Sequence, residues 1–218
     1  MKRFTILFAC FAVALSLNAQ NEEGKSGNEI QTIFGKSGQP KVGWFIGLDQ
    51  GYTQIDEKDV WQGGLNFGMI IDHQLSLGLA GYGWCNHDRL HFANVTETEG
   101  AYLEGGYGGV LLEYTLFPIS PVHLTVPVLI GGGGVTYISD EGHPEWDEDE
   151  WDTDYDVLDY DVFFVIEPGV RAEVNLLKFM KLNAGVSYRY ADGVELINTS
   201  GDIFNNFNAT VGLKFGKF

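Results

Sequence analysis

The chain has 218 residues, with 13 Lys and Arg against 30 Asp and Glu, and 29 glycines. This length suits one domain, the glycine excess argues against a helical bundle, and 14% aromatic residues argue against a disordered chain. A formal charge of −17 argues against nucleic acid as a partner, because phosphate binding needs a basic face.

Lys2 and Arg3 precede an apolar run from Phe4 to Leu17, and Leu17-Asn18-Ala19 ends in a small residue. This order predicts a secretory signal peptide over residues 1–19, cleaved after Ala19. Leu7-Phe8-Ala9-Cys10 has the look of a lipoprotein box, but it would leave the apolar region too short. Cleavage removes Cys10 and leaves Cys85 alone, so no internal disulfide is expected. Residues 20–41 are polar and are expected to form a flexible N-terminal segment. Gly-Lys-Ser-Gly occurs there twice, at 24–27 and 35–38. A phosphate-binding loop needs another glycine five residues earlier, where this chain has Ala19 and Ile30.

From Val42 onward the hydrophobic period is two. Eight segments alternate: Gly43–Gln54, Val60–Ile71, Leu75–Asn86, Ala101–Leu116, Val122–Tyr137, Tyr160–Val174, Lys181–Tyr190 and Phe207–Phe215. In the sixth, Tyr160, Val162, Phe164, Ile166, Val170, Ala172 and Val174 share one face, opposite Asp161, Glu167, Gly169, Arg171 and Glu173. Such alternation predicts strands with one apolar and one polar face. Only Glu173–Leu182 competes as a helical turn. The connections are sorted by length. Asp72–Gln74, Phe117–Pro121 and Asn175–Met180 are tight, whereas Asn86–Gly100, Ser139–Val157 and Ala191–Phe204 are long, and Ile55–Asp59 is short but polar. These features predict an all-β fold, an eight-stranded antiparallel up-and-down transmembrane β-barrel over residues 42–218. Its turns would lie in the periplasm and its loops outside the cell.

Periodicity alone does not say which face points outward, because a soluble ligand-binding barrel would keep its apolar face inside. The polar face carries Asp49, Glu113, Glu167, Arg171, Glu173, Arg189 and Lys214 in mid-segment. Those charges would ruin an apolar calyx but pair readily in a polar lumen. The apolar face carries Trp44, Tyr52, Trp61, Tyr114, Tyr160, Tyr188, Tyr190 and Phe215 near segment ends, where interfacial girdles sit. The apolar face is therefore expected to meet lipid.

At this point the sequence resembles the small bacterial outer-membrane β-barrel domain family, the eight-stranded OmpA-transmembrane or OmpX type. The residues carrying the resemblance are the leader ending Asn18-Ala19-Gln20, the turn Pro118-Ile119-Ser120-Pro121 running into His123–Gly131, and the last strand Phe207–Phe218. The resemblance implies residence in the outer membrane of a Gram-negative bacterium. It also implies contact with outer-membrane lipid and recognition of the terminal strand by the barrel-assembly machinery. One departure concerns Phe218, which shares a face with Lys214 and Gly216, so that Phe215 is expected to act as the terminal aromatic.

The seven charges admit two readings, an ion-selective pore or a plugged polar lumen of ion pairs. An eight-stranded interior is only wide enough for side chains. Phe45, Tyr107, Phe163 and Tyr137 on the same face would fill it further. Arg171, Arg189 and Lys214 are accordingly expected to approach Glu113, Glu167, Glu173 or Asp49.

Between Asp140 and Asp161 lie twelve carboxylates, interleaved with His143, Trp146, Trp151, Tyr155 and Tyr160. Asp152, Asp154 and Asp156 could offer oxygens to a divalent cation. The EF-hand pattern fails, because Val157 and Phe163 stand at its glycine and glutamate positions. A solvated acidic loop, a Ca²⁺ site and a surface for an extracellular partner all remain open.

His87, Asp88, His91 and His143 fall in outer loops with no nucleophile elbow or zinc motif beside them. No catalytic residue, cofactor or metal site is predicted. The expected role is structural or surface-interacting and non-enzymatic. A small porin-like transport or ligand-binding barrel is the alternative, and an enzyme acting on lipid at the rim is the third.

Overall fold

The computed structural model describes residues 40–84, 90–92, 95, 100–139 and 157–218. The expected signal peptide, nearly all of the N-terminal segment, Cys85, His87, Asp88, His143 and the acidic stretch 140–156 lie outside the described residues.

Nine strands follow one another: β1 (Val42–Ile55), β2 (Lys58–Ile71), β3 (Leu75–Trp84), β4 (His91–Phe92), β5 (Ala101–Leu116), β6 (Val122–Ser139), β7 (Val157–Leu177), β8 (Met180–Asp192) and β9 (Asn206–Lys217). The two-residue β4 is an appendage on β5, and the other eight close into a ring. Sequence neighbours pair antiparallel, β1 pairs with β9, and β3 pairs with β5 across the short strand. The fold is therefore an eight-stranded closed antiparallel β-barrel, and closure leaves none of its long strands with a free edge.

Local chemistry sets the strand ends. Asp56 and Glu57 both have positive φ, 49° and 61°, so β1 turns directly into β2 through a two-residue connection. Asp72 and His73 repeat the device at the opposite end, with φ of 51° and 60°. β7 is 21 residues long, extending past both ends of the predicted segment and into the stretch that competed as helix, whose remainder is a two-residue turn and the start of β8. Besides the register shifts at Leu158 and Leu176, its ladders contain two gaps. The β6–β7 pairing skips Val126–Pro127, and the β7–β8 pairing skips Glu167–Pro168. Both gaps contain a proline, which has no N–H to donate.

The strand parity sorts side chains as alternation predicts. Ile46, Leu48, Leu65, Phe67, Leu77, Leu79, Val110, Leu112, Phe164, Val170, Val186 and Val211 are all exposed on the outside. An apolar belt running around the whole barrel far exceeds the patches that water-soluble monomers expose. In water this surface would drive aggregation, and in lipid it is the stable arrangement.

Candidate functional site

The interior divides into two storeys. The half nearer the short turns is ionic, and the half nearer the long connections is apolar.

In the turn-end storey Lys214, on β9, is the hub. Its ammonium donates to both oxygens of Glu113 at 3.1 and 3.0 Å and to Glu173 Oε1 at 2.8 Å. Glu173 Oε2 also meets His123 Nε2 at 3.0 Å and Lys181 Nζ at 3.4 Å. Arg171 approaches Asp49 Oδ2 at 3.2 Å and Glu113 Oε1 at 3.8 Å. Asp49 additionally accepts from Asn66 Nδ2 at 2.9 Å and from the Tyr82 hydroxyl at 3.1 Å. Every carboxylate oxygen bound by Lys214 or Arg171 thus lies on another strand, so these contacts tie distant walls together across the lumen. Leaving any of these ions unpaired away from water would be costly.

The loop-end storey is built differently. Ile55, Val60, Trp84, Leu103, Val135, Tyr137, Phe163 and Val165 all point inward and are buried. The connection 193–205 folds over them and contributes Val194, Leu196 and Phe204. Phe204 stacks on Phe163 with ring centroids 5.1 Å apart and leans on Trp84 at 5.6 Å. The connection is held by two carboxylates of β7 on the inward parity of that strand. Asp161 accepts the Glu195 N–H, and Asp159 accepts the Ile197 N–H at 2.8 Å. Below it, the Tyr137 hydroxyl and Thr199 Oγ1 meet at 2.8 Å. Two glycines make room for the rings. A Cβ on Gly133 would stand 2.3 Å from the Phe163 ring, and one on Gly64 would stand 2.3 Å from the Tyr82 ring.

All seven residues anticipated from parity, Asp49, Glu113, Glu167, Arg171, Glu173, Arg189 and Lys214, are buried inside the barrel. Five of them form one ion-pair network: Asp49, Glu113, Arg171, Glu173 and Lys214. Arg189 departs from the expected pairing. Its guanidinium lies 5.1 Å from the Tyr107 ring centre and 5.7 Å from that of Trp84. Its Nε donates to the Phe204 carbonyl at 2.8 Å. Arg189 sits at the boundary between the storeys, where aromatic faces and a loop carbonyl replace a carboxylate. Glu167 likewise has Ser187 rather than a cation as its hydrogen-bond donor. Phe45, Tyr107, Phe163 and Tyr137, expected to fill the lumen beside the charges, are buried inside, and most of the apolar bulk gathers in the loop-end half. His123 and Lys181 complete the ionic network although neither was counted in the predicted cluster. Their signal was the same inward parity, at strand ends. Phe218 turns inward, with Lys181 Nζ 4.1 Å above its ring.

An apolar belt outside, ions inside and a closed ladder decide the matter. This is a membrane-spanning β-barrel. Among solved structures the chain is similar to Neisserial surface protein A, at 11% identity over 81% of this chain and 97% of that one, with a TM-score of 0.51. It is also similar to Ail, the attachment invasion locus protein of Yersinia pestis, in complex with the heparin analogue sucrose octasulfate, at 12% identity, 81% and 98% coverage and a TM-score of 0.47. OprG from Pseudomonas aeruginosa matches at 12% identity, 80% and 95% coverage and a TM-score of 0.39. No protein-family model and no curated protein matches the chain. The fold is that of the small outer-membrane β-barrels, and the apolar belt seats the barrel in a lipid bilayer.

Proposed function

We propose that this barrel is a non-catalytic surface protein: a plugged membrane anchor that presents acidic loops to the cell exterior. The observation that carries the reading is the separation of charge. Among the described residues, the buried cations Arg171, Lys181, Arg189 and Lys214 equal in number the buried acids Asp49, Glu113, Glu167 and Glu173. The lumen is balanced, so the excess of acid over base, −17 for the chain, belongs to the rest of the molecule. Much of it falls in the connection between β6 and β7, residues 140–156, where ten carboxylates interleave with aromatics. A barrel built to conduct one ion sign would bias its own interior, whereas a barrel built for contact concentrates charge and aromatics on its loops.

The two storeys support the plugged lumen, since an eight-stranded bore is only wide enough for side chains and these bring ion pairs and an aromatic cap into it. The occupant of the acidic surface is a cationic extracellular partner or a divalent cation. Contact with membrane lipid and insertion by the barrel-assembly machinery complete the set of partners.

The test is protease applied to intact cells. Cleavage within residues 139–157, leaving a membrane-protected core, supports surface display. Cleavage seen only after the outer membrane is breached overturns it.

A further inference from the structure

At the turn end the ionic storey opens into a cavity of about 700 Å³. Its floor is Glu113, Glu173, Lys181 and Lys214 with buried Ile70 beside them, and its mouth has an apolar side made by Pro118, Leu176, Leu177 and Phe218. The volume suits a small molecule, and the lining is mixed, nine polar or charged residues with five apolar ones. The surface-display role proposed above does not use this cavity.

Hydrogen-bond capacity decides what the floor can accept. Lys214 has three N–H donors, and all three meet carboxylate oxygens at 2.8 to 3.1 Å. Both oxygens of Glu113 are taken by Lys214. Those of Glu173 are taken by Lys214, His123 and Lys181. The acids on the floor therefore have their cations in place already. Lys181 differs. It has three donors, and its one carboxylate contact is long, 3.4 Å to Glu173 Oε2. His123 Nε2, 3.3 Å away, cannot accept from it while donating to Glu173, and the Phe218 ring lies 4.1 Å from the ammonium. Its remaining capacity is donor capacity, on a wall of the cavity. At the mouth Lys178 adds a second cation, next to exposed Leu176 and Leu177. The cavity thus has spare donors at depth, an apolar side above them and positive charge at the rim.

We propose that this turn-end cavity binds a single-chain amphiphile with a compact anionic head, carboxylate or phosphate. The head meets Lys181, and the alkyl chain runs out along Ile70, Leu177 and Phe218. A cationic head would face lysines whose acids are already paired. An uncharged alkyl chain would leave the Lys181 donor unanswered.

The experiment uses the full chain refolded in phosphatidylcholine nanodiscs, observed by NMR at His123, Thr115 and Lys181. The probes are hexanoate, hexyl phosphate, hexanol and hexylammonium. Saturable shifts at these three residues are expected with hexanoate or hexyl phosphate, and the tighter of the two identifies the head. Lys181→Gln should weaken that binding at least tenfold. Lys178→Glu, an exposed change that leaves the floor intact, should weaken it severalfold and serves if the Lys181 variant does not fold. Shifts from hexylammonium or hexanol equal to those from the anions would overturn the proposal. So would unchanged affinity in the folded Lys181 variant, or in the Lys178 variant if it must serve instead. The absence of any saturable shift with either anion would also overturn it.

Discussion

The two storeys of the lumen fill the same bore by opposite physics. The turn-end storey uses ions held between walls, with Lys214 joining Glu113 of β5 to Glu173 of β7 from its place on β9. The loop-end storey uses apolar bulk, part of which is brought in by the connection 193–205 rather than by the strands. An ionic filling comes from side chains already on the strands, but each ion depends on its partners. An apolar filling tolerates adjustment, but here it depends on a loop being held in place. The comparison teaches that a barrel wall can be closed by one repeating ladder while its interior is secured locally and unequally.

This contrast can be broken from either side. The largest effect is expected in the ionic storey. Lys214→Met leaves Glu113 and Glu173 without their shared cation, and removing one partner of a buried pair costs about 3–5 kcal/mol. Urea unfolding from lipid vesicles measures it. Adding Glu113→Gln to the same variant should recover much of the loss, because Glu113 is then uncharged while Glu173 keeps Lys181 and Arg171 keeps Asp49. If the single variant is as stable as the parent, the network does not hold the turn-end half.

Phe204→Ala attacks the other storey. The side chain is fully buried between Phe163 and Trp84, and truncating a buried phenylalanine costs about 3–5 kcal/mol where the surroundings cannot collapse. A loop can relax, so the low end of that range is expected in the same urea assay. The change should also raise amide exchange in residues 194–204 while leaving the β1–β9 ladder protected. Uniform loss of protection would mean that the cap and the wall form one cooperative unit.

A third test concerns the outer face. Val186 points outward and is 59% exposed, and its neighbour Ser187 points inward to Glu167. A charge at the lipid midplane costs about 2–4 kcal/mol in such barrels. Val186→Arg should therefore impair folding into bilayers far more than Ser187→Ala, and equal tolerance would contradict the assignment of faces. The smallest contrast is between two adjacent glycines. Gly133→Ala crowds the Phe163 ring and should cost about 1–3 kcal/mol, the usual range for overpacking. At Gly134 the nearest atom to an added Cβ is 3.9 Å away, so alanine there should be nearly neutral.

Much of this was legible in the sequence for one reason. Side chains alternate strictly along a strand, so parity alone assigns a face. Arg171 and Glu173 were placed inside by that rule, and Phe164 and Val170 outside. Parity says nothing about height along the barrel axis, which depends on the stagger between strands. That is why Arg189 was expected near an acid yet lies among Trp84, Tyr107 and Phe204. The apolar storey left a fainter trace. In the run Phe163-Phe164-Val165-Ile166 both faces are apolar, and alternation of polarity fails where lipid lies on one side and a packed interior on the other. The cap formed by 193–205 had no periodic signal, because a connection that folds inward follows neither strand nor helix spacing.

The central claim is that the two storeys together leave no open path through the barrel. Single-channel recording of the purified protein in planar bilayers tests it most directly. The account predicts no large, stable conductance steps from the monomeric wild-type barrel. Steady steps of uniform size under those conditions would contradict it.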